Sequence, residues 1–167
     1  MEKDIIGSYQ EISGDLIALM EQGNFDVVTH GCNCFCIMKS GIAPKMAKAT
    51  GCDKFPMEGK SFKGAHYKLG LIDYKTVSWL QSSKTQKTCL KEKPGIDFLD
   101  CTTVQVTVVN SYTQFHYGTY QINLHYGALI SCLSRINRIF AGQRIGLPKI
   151  GCGLAGGDWS VVKGLIQ

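Results

Sequence analysis

Apolar residues recur at steps of three and four over 120–140, at Ile122, Tyr126, Leu129, Ile130, Leu133, Ile136 and Phe140. That spacing predicts a helix with one buried stripe. Arg135 and Arg138 fall in its last turns, where cations favour the dipole, and Gly142 follows as a stop. The β-branched run over 104–109 predicts a central strand. Shorter apolar runs predict further buried strands over 27–32 and 145–147. The region 67–77, with Leu69, Leu71, Ile72, Tyr74 and Val77, predicts a strand or a bent pair. A weakly patterned opening strand is expected over 5–12, and a short helix or turn over 15–20. Another helix is expected over 42–49, with Pro44 in its first turn and Gly51 ending it. A last helix begins at Trp159, and loops are expected over 81–95 and 111–118. Strands alternating with helices imply an α/β fold with a mostly parallel sheet covered on both faces. Ligands on such sheets bind beyond the carboxyl ends of the strands.

Composition adds limits. A chain of 167 residues, 44% of them hydrophobic, suits a single domain over 1–167 with a real core. No apolar stretch approaches the roughly 18 residues of a membrane span. Met1, Glu2, Lys3 and Asp4 lead into no signal-peptide core, so a cytoplasmic protein with no membrane partner is expected. Of eight cysteines, Cys32, Cys34 and Cys36 form a C-x-C-x-C run, but no C-x-x-C pair exists and the histidines miss finger spacing. Reduced cysteines acting as small apolar residues are expected, with no metal and no cofactor. The net charge of +5 is mild, and Lys84, Lys87, Lys91 and Lys93 punctuate a polar stretch that reads as a solvated loop.

Two segments carry chemistry. The first runs from Val27 through His30, Gly31, Cys32, Asn33 and Cys34 to Ser40, Gly41, Ile42 and Ala43. It reads as a strand, a turn of small residues and a helix whose amino end faces the turn. The second runs from Leu147 and Pro148 through Gly151, Cys152, Gly153, Leu154, Ala155, Gly156 and Gly157 to Asp158 and Trp159. Backbone N–H groups and a helix amino end suit a phosphate, and glycines let the backbone approach oxygens closely. Two such loops point to a ligand bearing two phosphates or one diphosphate. Asp15 serves either as a helix cap or as an acceptor for a donor-bearing amine. Asn33 serves either as a left-handed turn residue or as an amide fixing a hydroxyl. His30 is the candidate for chemistry, as base, acid or nucleophile, against a histidine packed on the sheet. Asp158 is an acid–base partner or the cap of the last helix.

These segments, in order, resemble the macrodomain family, which binds ADP-ribose. Gly14-Asp15-Leu16, His30-Gly31-Cys32-Asn33-Cys34 with Gly41-Ile42-Ala43, Val109-Asn110-Ser111-Tyr112-Thr113-Gln114, and Leu147-Pro148 through Gly151-Cys152-Gly153 to Trp159 carry the resemblance over most of the chain. It implies a three-layer α/β/α fold with a mixed, mostly parallel sheet. The branch most similar is that of ADP-ribose 1''-phosphate phosphatases and related ADP-ribosyl hydrolases. It implies that Asp15, with Leu16, meets adenine and that Asn33 holds the distal ribose. It also implies that Gly41, Ile42 and Ala43 wall the first phosphate side, while residues from Gly151 to Gly156 wrap the diphosphate. His30, with Asn33 and Asp158, would then hydrolyse the phosphomonoester, releasing ADP-ribose and phosphate. The alternatives are removal of ADP-ribose from protein or nucleic acid, or binding without turnover. The expected partner is thus ADP-ribose or its 1''-phosphate, nucleic acid entering only when it carries ADP-ribose, and the protein acting as a monomer. Lys48 matches loosely a reactive lysine of relatives acting on nucleic acid, against an exposed helix-face lysine. Tyr112, Phe115, Tyr117 and Tyr120 are candidates to stack on adenine or close over the ribose, at least two of them being core. The family's usual strand after the last helix, with its aromatic, has no counterpart in these residues.

Overall fold

Neighbouring valines point to opposite faces of one sheet. Val28, Val106 and Val108 pack with Met20, Met46, Cys52 and Phe55 on one side. Val27 and Val109 pack with Ile136 and Phe140 on the other. The structure is a computed structural model describing residues 8–58, 63–81 and 102–167. The loop expected over 81–95 and its lysines lie outside the described residues from position 82 onward, as do the first seven positions.

The described elements are α1 (Leu16–Glu21), β1 (Val27–Asn33), α2 (Ala43–Thr50), β2 (Ile72–Gln81), β3 (Thr102–Gln114), α3 (Tyr126–Ile139), β4 (Ile145–Gly146) and α4 (Trp159–Ile166). The sheet order is β2-β3-β1-β4. β1 runs parallel to β3 and to β4, and β2 runs antiparallel to β3. Strand alternation therefore sends one set of side chains toward α1 and α2 and the other toward α3 and α4. The result is the expected three-layer α/β/α arrangement with a mixed sheet.

Four expectations change. The loop expected from 111 is instead the end of β3, which continues to Gln114. Its residues look polar, but Ser111, Tyr112 and Thr113 are buried, and the hydroxyls of Ser111 and Thr29 lie 2.7 Å apart. The helix expected from 120 begins at Tyr126. The amides of Asn123 and Leu124 donate instead to the carbonyl of Ala155, and the amide of Ala128 donates to His125 Nδ1, which caps α3. Residues 8–13 are irregular rather than a strand. In the 67–77 region the strand starts only at Ile72, after a single 3-10 turn over His66–Lys68. The remaining helices follow their signals. Asp15 caps α1, Pro44 sits at the start of α2, Gly51 ends it with φ 70°, and Asp158 caps α4.

Candidate functional site

Three loops leave the carboxyl ends of the parallel strands and meet on one rim. A bulge between Cys32 and Asn33 breaks the β1–β3 register where the first loop begins. A methyl on Gly41 would lie 3.8 Å from Leu154 Cδ1, so the first loop faces the glycine-rich one. A methyl on Gly156 would lie 3.5 Å from Ile122, which brings in the loop after β3. The two glycine-rich segments read from the sequence thus face each other.

Both loops carry amides without acceptors. Among the described residues, the N–H groups of Gly41, Ile42 and Ala43 donate to no acceptor, and neither do those of Gly153, Leu154 and Ala155. Such amides favour anionic oxygens, and those of Ile42 and Ala43 add the amino end of α2. The shape of the second loop is fixed by two bonds, Gly156 N to the Gly153 carbonyl (3.0 Å) and Gly157 N to the Gly151 carbonyl (2.9 Å). Gly151 and Gly156 are left-handed, with φ 74° and 73°.

Asn33 does not take the left-handed turn conformation; Cys36 does, with φ 58°. Asn33 staples its own loop instead. Its Nδ2 donates to the Ile37 carbonyl (2.8 Å), and the Ile37 amide donates back to Oδ1 (3.2 Å). Asp15 Oδ1 accepts from the amides of Ile17 and Ala18, while Oδ2 lies 3.9 Å from Lys45 Nζ at the surface. Leu16 is half-buried against the core beneath it. Cys152 is half-buried, and its Sγ contacts the Ile150 carbonyl. Lys48 is an exposed residue on α2.

His30 requires a correction. The sequence suggests an imidazole at the rim, but His30 is fully buried and faces α2 and the turn after it. Its Nε2 lies 2.8 Å from Asn110 Oδ1. Asn110 Nδ2 donates to the Cys52 carbonyl, which fixes the amide orientation and assigns the proton to His30 Nε2. Burial pulls the imidazole down to about 4, against a smaller opposing effect of Asn110. The ring is neutral and enclosed, with no route to a ligand on the rim.

Asp158 also departs from an acid–base role. Its Oδ1 accepts from the amide and the hydroxyl of Ser160, both at 2.7 Å, and these bonds hold its carboxyl below the ordinary range. An ionised cap is a poor proton donor. Asp158→Asn, which preserves a capping oxygen, is expected to keep the thermal midpoint near that of the wild type, whereas Asp158→Ala lowers it. Thermal melts of the two variants check this.

Of the four aromatic candidates, Tyr112 is fully buried and Phe115 half-buried, while Tyr117 and Tyr120 are exposed. Sequence reasoning missed the companions of the last two. His116, Tyr117, Tyr120, Gln121 and Asn123 line a hollow of about 240 Å3 on the loop after β3. Phe35 stacks on His116, and His66 stacks on Phe115 at 3.7 Å. The signal was the density of rings over 115–120, which a helix expected from 120 obscured.

Solved structures share this arrangement. The macrodomain of Thermus aquaticus DarG superposes with a TM-score of 0.56 at 17% identity, over 93% of this chain and 85% of that one. Thermosipho africanus DarTG, solved in complex with ADP-ribose, gives 0.56 at 19% identity over 88% of this chain and 35% of that longer one. The chain has the macrodomain fold. No protein-family profile matches the sequence. An uncharacterized 17.5 kDa protein from the tk-vs intergenic region of enterobacteria phage T4 is 30% identical in an alignment 160 residues long that covers 93% of this chain and 86% of that protein. The chain belongs to the family of that phage protein. Among the described residues, no helix is long and apolar enough to cross a membrane.

Proposed function

We propose that the protein binds ADP-ribose on the rim where the three loops meet. The observation that carries this reading is the pair of facing loops, 41–43 and 153–155, whose amides lack acceptors among the described residues. A diphosphate supplies oxygens for both sets. Asp15 keeps Oδ2 at the surface for the adenine amino group, since only Oδ1 is used in the cap. Asn33 contributes to the distal ribose pocket by bracing the loop that borders it. The complex of the Thermosipho protein with ADP-ribose supports the same choice of ligand.

For the reaction, we propose hydrolysis of the phosphomonoester of ADP-ribose 1''-phosphate on the same rim. Donors aimed at phosphate oxygens stabilise charge without needing a titrating group. His30 takes no part in this step, because it is enclosed and hydrogen-bonded to Asn110. Removal of ADP-ribose from a macromolecule, and binding alone, use the same rim and differ in product. Phosphate release from ADP-ribose 1''-phosphate supports the phosphatase reading. Release of free ADP-ribose from a modified target with no phosphate release supports the hydrolase, and calorimetric binding with neither product supports the reader.

Asn33→Ala is expected to weaken ADP-ribose binding by about tenfold, the equivalent of one to two lost hydrogen bonds in the loop. Titration calorimetry on the folded variant reads this directly. Unchanged affinity would remove Asn33 from the pocket.

A further inference from the structure

Beneath the first loop lies a second cluster that nucleotide binding does not use. Lys68 is fully buried. Its Nζ lies 2.8 Å from Cys36 Sγ and 2.7 Å from the Met57 carbonyl. Burying a lysine amine is expensive unless its donors are matched, so this placement calls for a reason. Cys36, half-buried, is also the non-glycine residue held at a left-handed φ among those described. Strained backbone of this kind collects at functional positions. Glu58 is 6% exposed, and its Oε1 has no hydrogen-bond partner among the described residues. The buried hydroxyl of Tyr112 is likewise without a partner.

We propose that Cys36 and Lys68 are a redox site that closes into a covalent sulfur–nitrogen cross-link when the protein meets a peroxide. In the first step the Cys36 thiol attacks hydrogen peroxide. The O–O bond breaks, an S–O bond forms, and water leaves, so sulfur is oxidised by two electrons to a sulfenic acid while the peroxide is reduced. In the second step Lys68 Nζ, as the free amine, attacks that sulfur. The S–N bond forms, the S–O bond breaks, and the departing hydroxide takes a proton from nitrogen to leave as water. No further oxidant is needed, and two equivalents of a thiol reductant return the thiol and the amine. The amine is the favoured nucleophile because it already touches the sulfur, at 2.8 Å. Burial raises the carboxyl of the nearby Glu58 to about 7. Burial also raises the Cys36 thiol, and Lys68 only partly offsets this. The oxidation is therefore slow, and excess peroxide is required.

Cys152 supplies an internal comparison. It is half-buried like Cys36, but among the described residues no amine contacts its sulfur. The test treats the full chain with hydrogen peroxide, blocks remaining thiols and locates modified residues by peptide mass and fragmentation. The expected product is a peptide pair joining Cys36 to Lys68 and lacking two hydrogens relative to the separate peptides. It should disappear on thiol reduction, while Cys152 yields only unlinked oxidation products. In Lys68→Arg, which keeps a cation but not the amine, Cys36 should stop at a sulfenic acid that dimedone traps. Oxidation of Cys36 in the wild type to sulfinic acid with Lys68 unlinked, or no oxidation of Cys36 in excess peroxide, would overturn the proposal.

Discussion

Gly157→Ala is expected to reduce ADP-ribose affinity by at least about tenfold and to destabilise the fold by about 1–3 kcal/mol, the range for forcing extra volume into a packed site. A β-carbon there would sit 2.8 Å from the Gly151 carbonyl oxygen and collide with Leu124 Cδ2. The carbonyl cannot swing away without losing the Gly157 N–H bond that closes the loop. Leu124 is only 5% exposed, and it anchors the cluster of Leu129, Ile150, Ala155 and Val162. Its backbone amide holds the Ala155 carbonyl. Displacing it moves the amides of 153–155 off their common target. Gly151→Ala meets Leu124 as well, at 2.5 Å, and adds the strain of a left-handed φ. Gly153→Ala is the control. Nothing lies within 4 Å of its new methyl, so stability should stay within about 0.5 kcal/mol. Denaturant unfolding and calorimetry on the three variants check these expectations. A Gly157→Ala protein with unchanged affinity would detach the second loop from binding.

The second large effect is a dependence of stability on pH that comes from His30. Burial depresses its folded pKa from 6.5 to about 4. Above the unfolded value neither state is protonated, and His30 adds no pH dependence. As pH falls from 6.5 toward about 4, the unfolded chain takes a proton that the folded one refuses, so stability drops. At about 1.4 kcal/mol per tenfold, the span amounts to about 3 kcal/mol. Glu58 works in the opposite sense. Its folded carboxyl is raised to about 7, so its contribution is full below the unfolded value of 4.5 and is lost as pH rises through about 7. The wild-type profile is therefore flattened, and the comparison that isolates His30 is with His30→Gln. Glutamine keeps a donor toward Asn110 and does not titrate. Relative to wild type, this variant should gain about 3 kcal/mol between about pH 7.5 and pH 4. Its ADP-ribose affinity near neutrality should match wild type within about twofold, a difference under 0.5 kcal/mol. Urea unfolding across that range reads the first, and calorimetry the second. A parallel pair of stability profiles would mean that His30 is not held neutral.

Much of the frame was readable because local signals agree with the fold. Pro44 and Gly51 bracket α2, Asp158 opens α4, and the β-branched run of β3 lies between two partner strands. The facing of the two glycine-rich loops followed from both leaving parallel strands at the same end. What misled were residues whose partners lie far along the chain. Ser111 and Thr113 look like loop residues until Thr29 and the β1 ladder are brought beside them. Tyr120 and Ile122 continue a helical spacing, yet tertiary bonds from Asn123 and Leu124 to Ala155 hold the chain extended up to the His125 cap. His30 sits beside the bulged turn in sequence, but strand alternation turns it into the layer beneath, toward Asn110. Nothing near Lys68 in sequence announces that it is buried against Cys36, 32 positions away.

Calorimetric titration of the folded wild-type protein with ADP-ribose decides whether the rim is a nucleotide site. Saturable binding of one nucleotide per chain is expected, weakened at least about tenfold by Gly157→Ala and unchanged by His30→Gln. A folded protein that shows no heat of binding and no competition by ADP-ribose at millimolar concentration would contradict this.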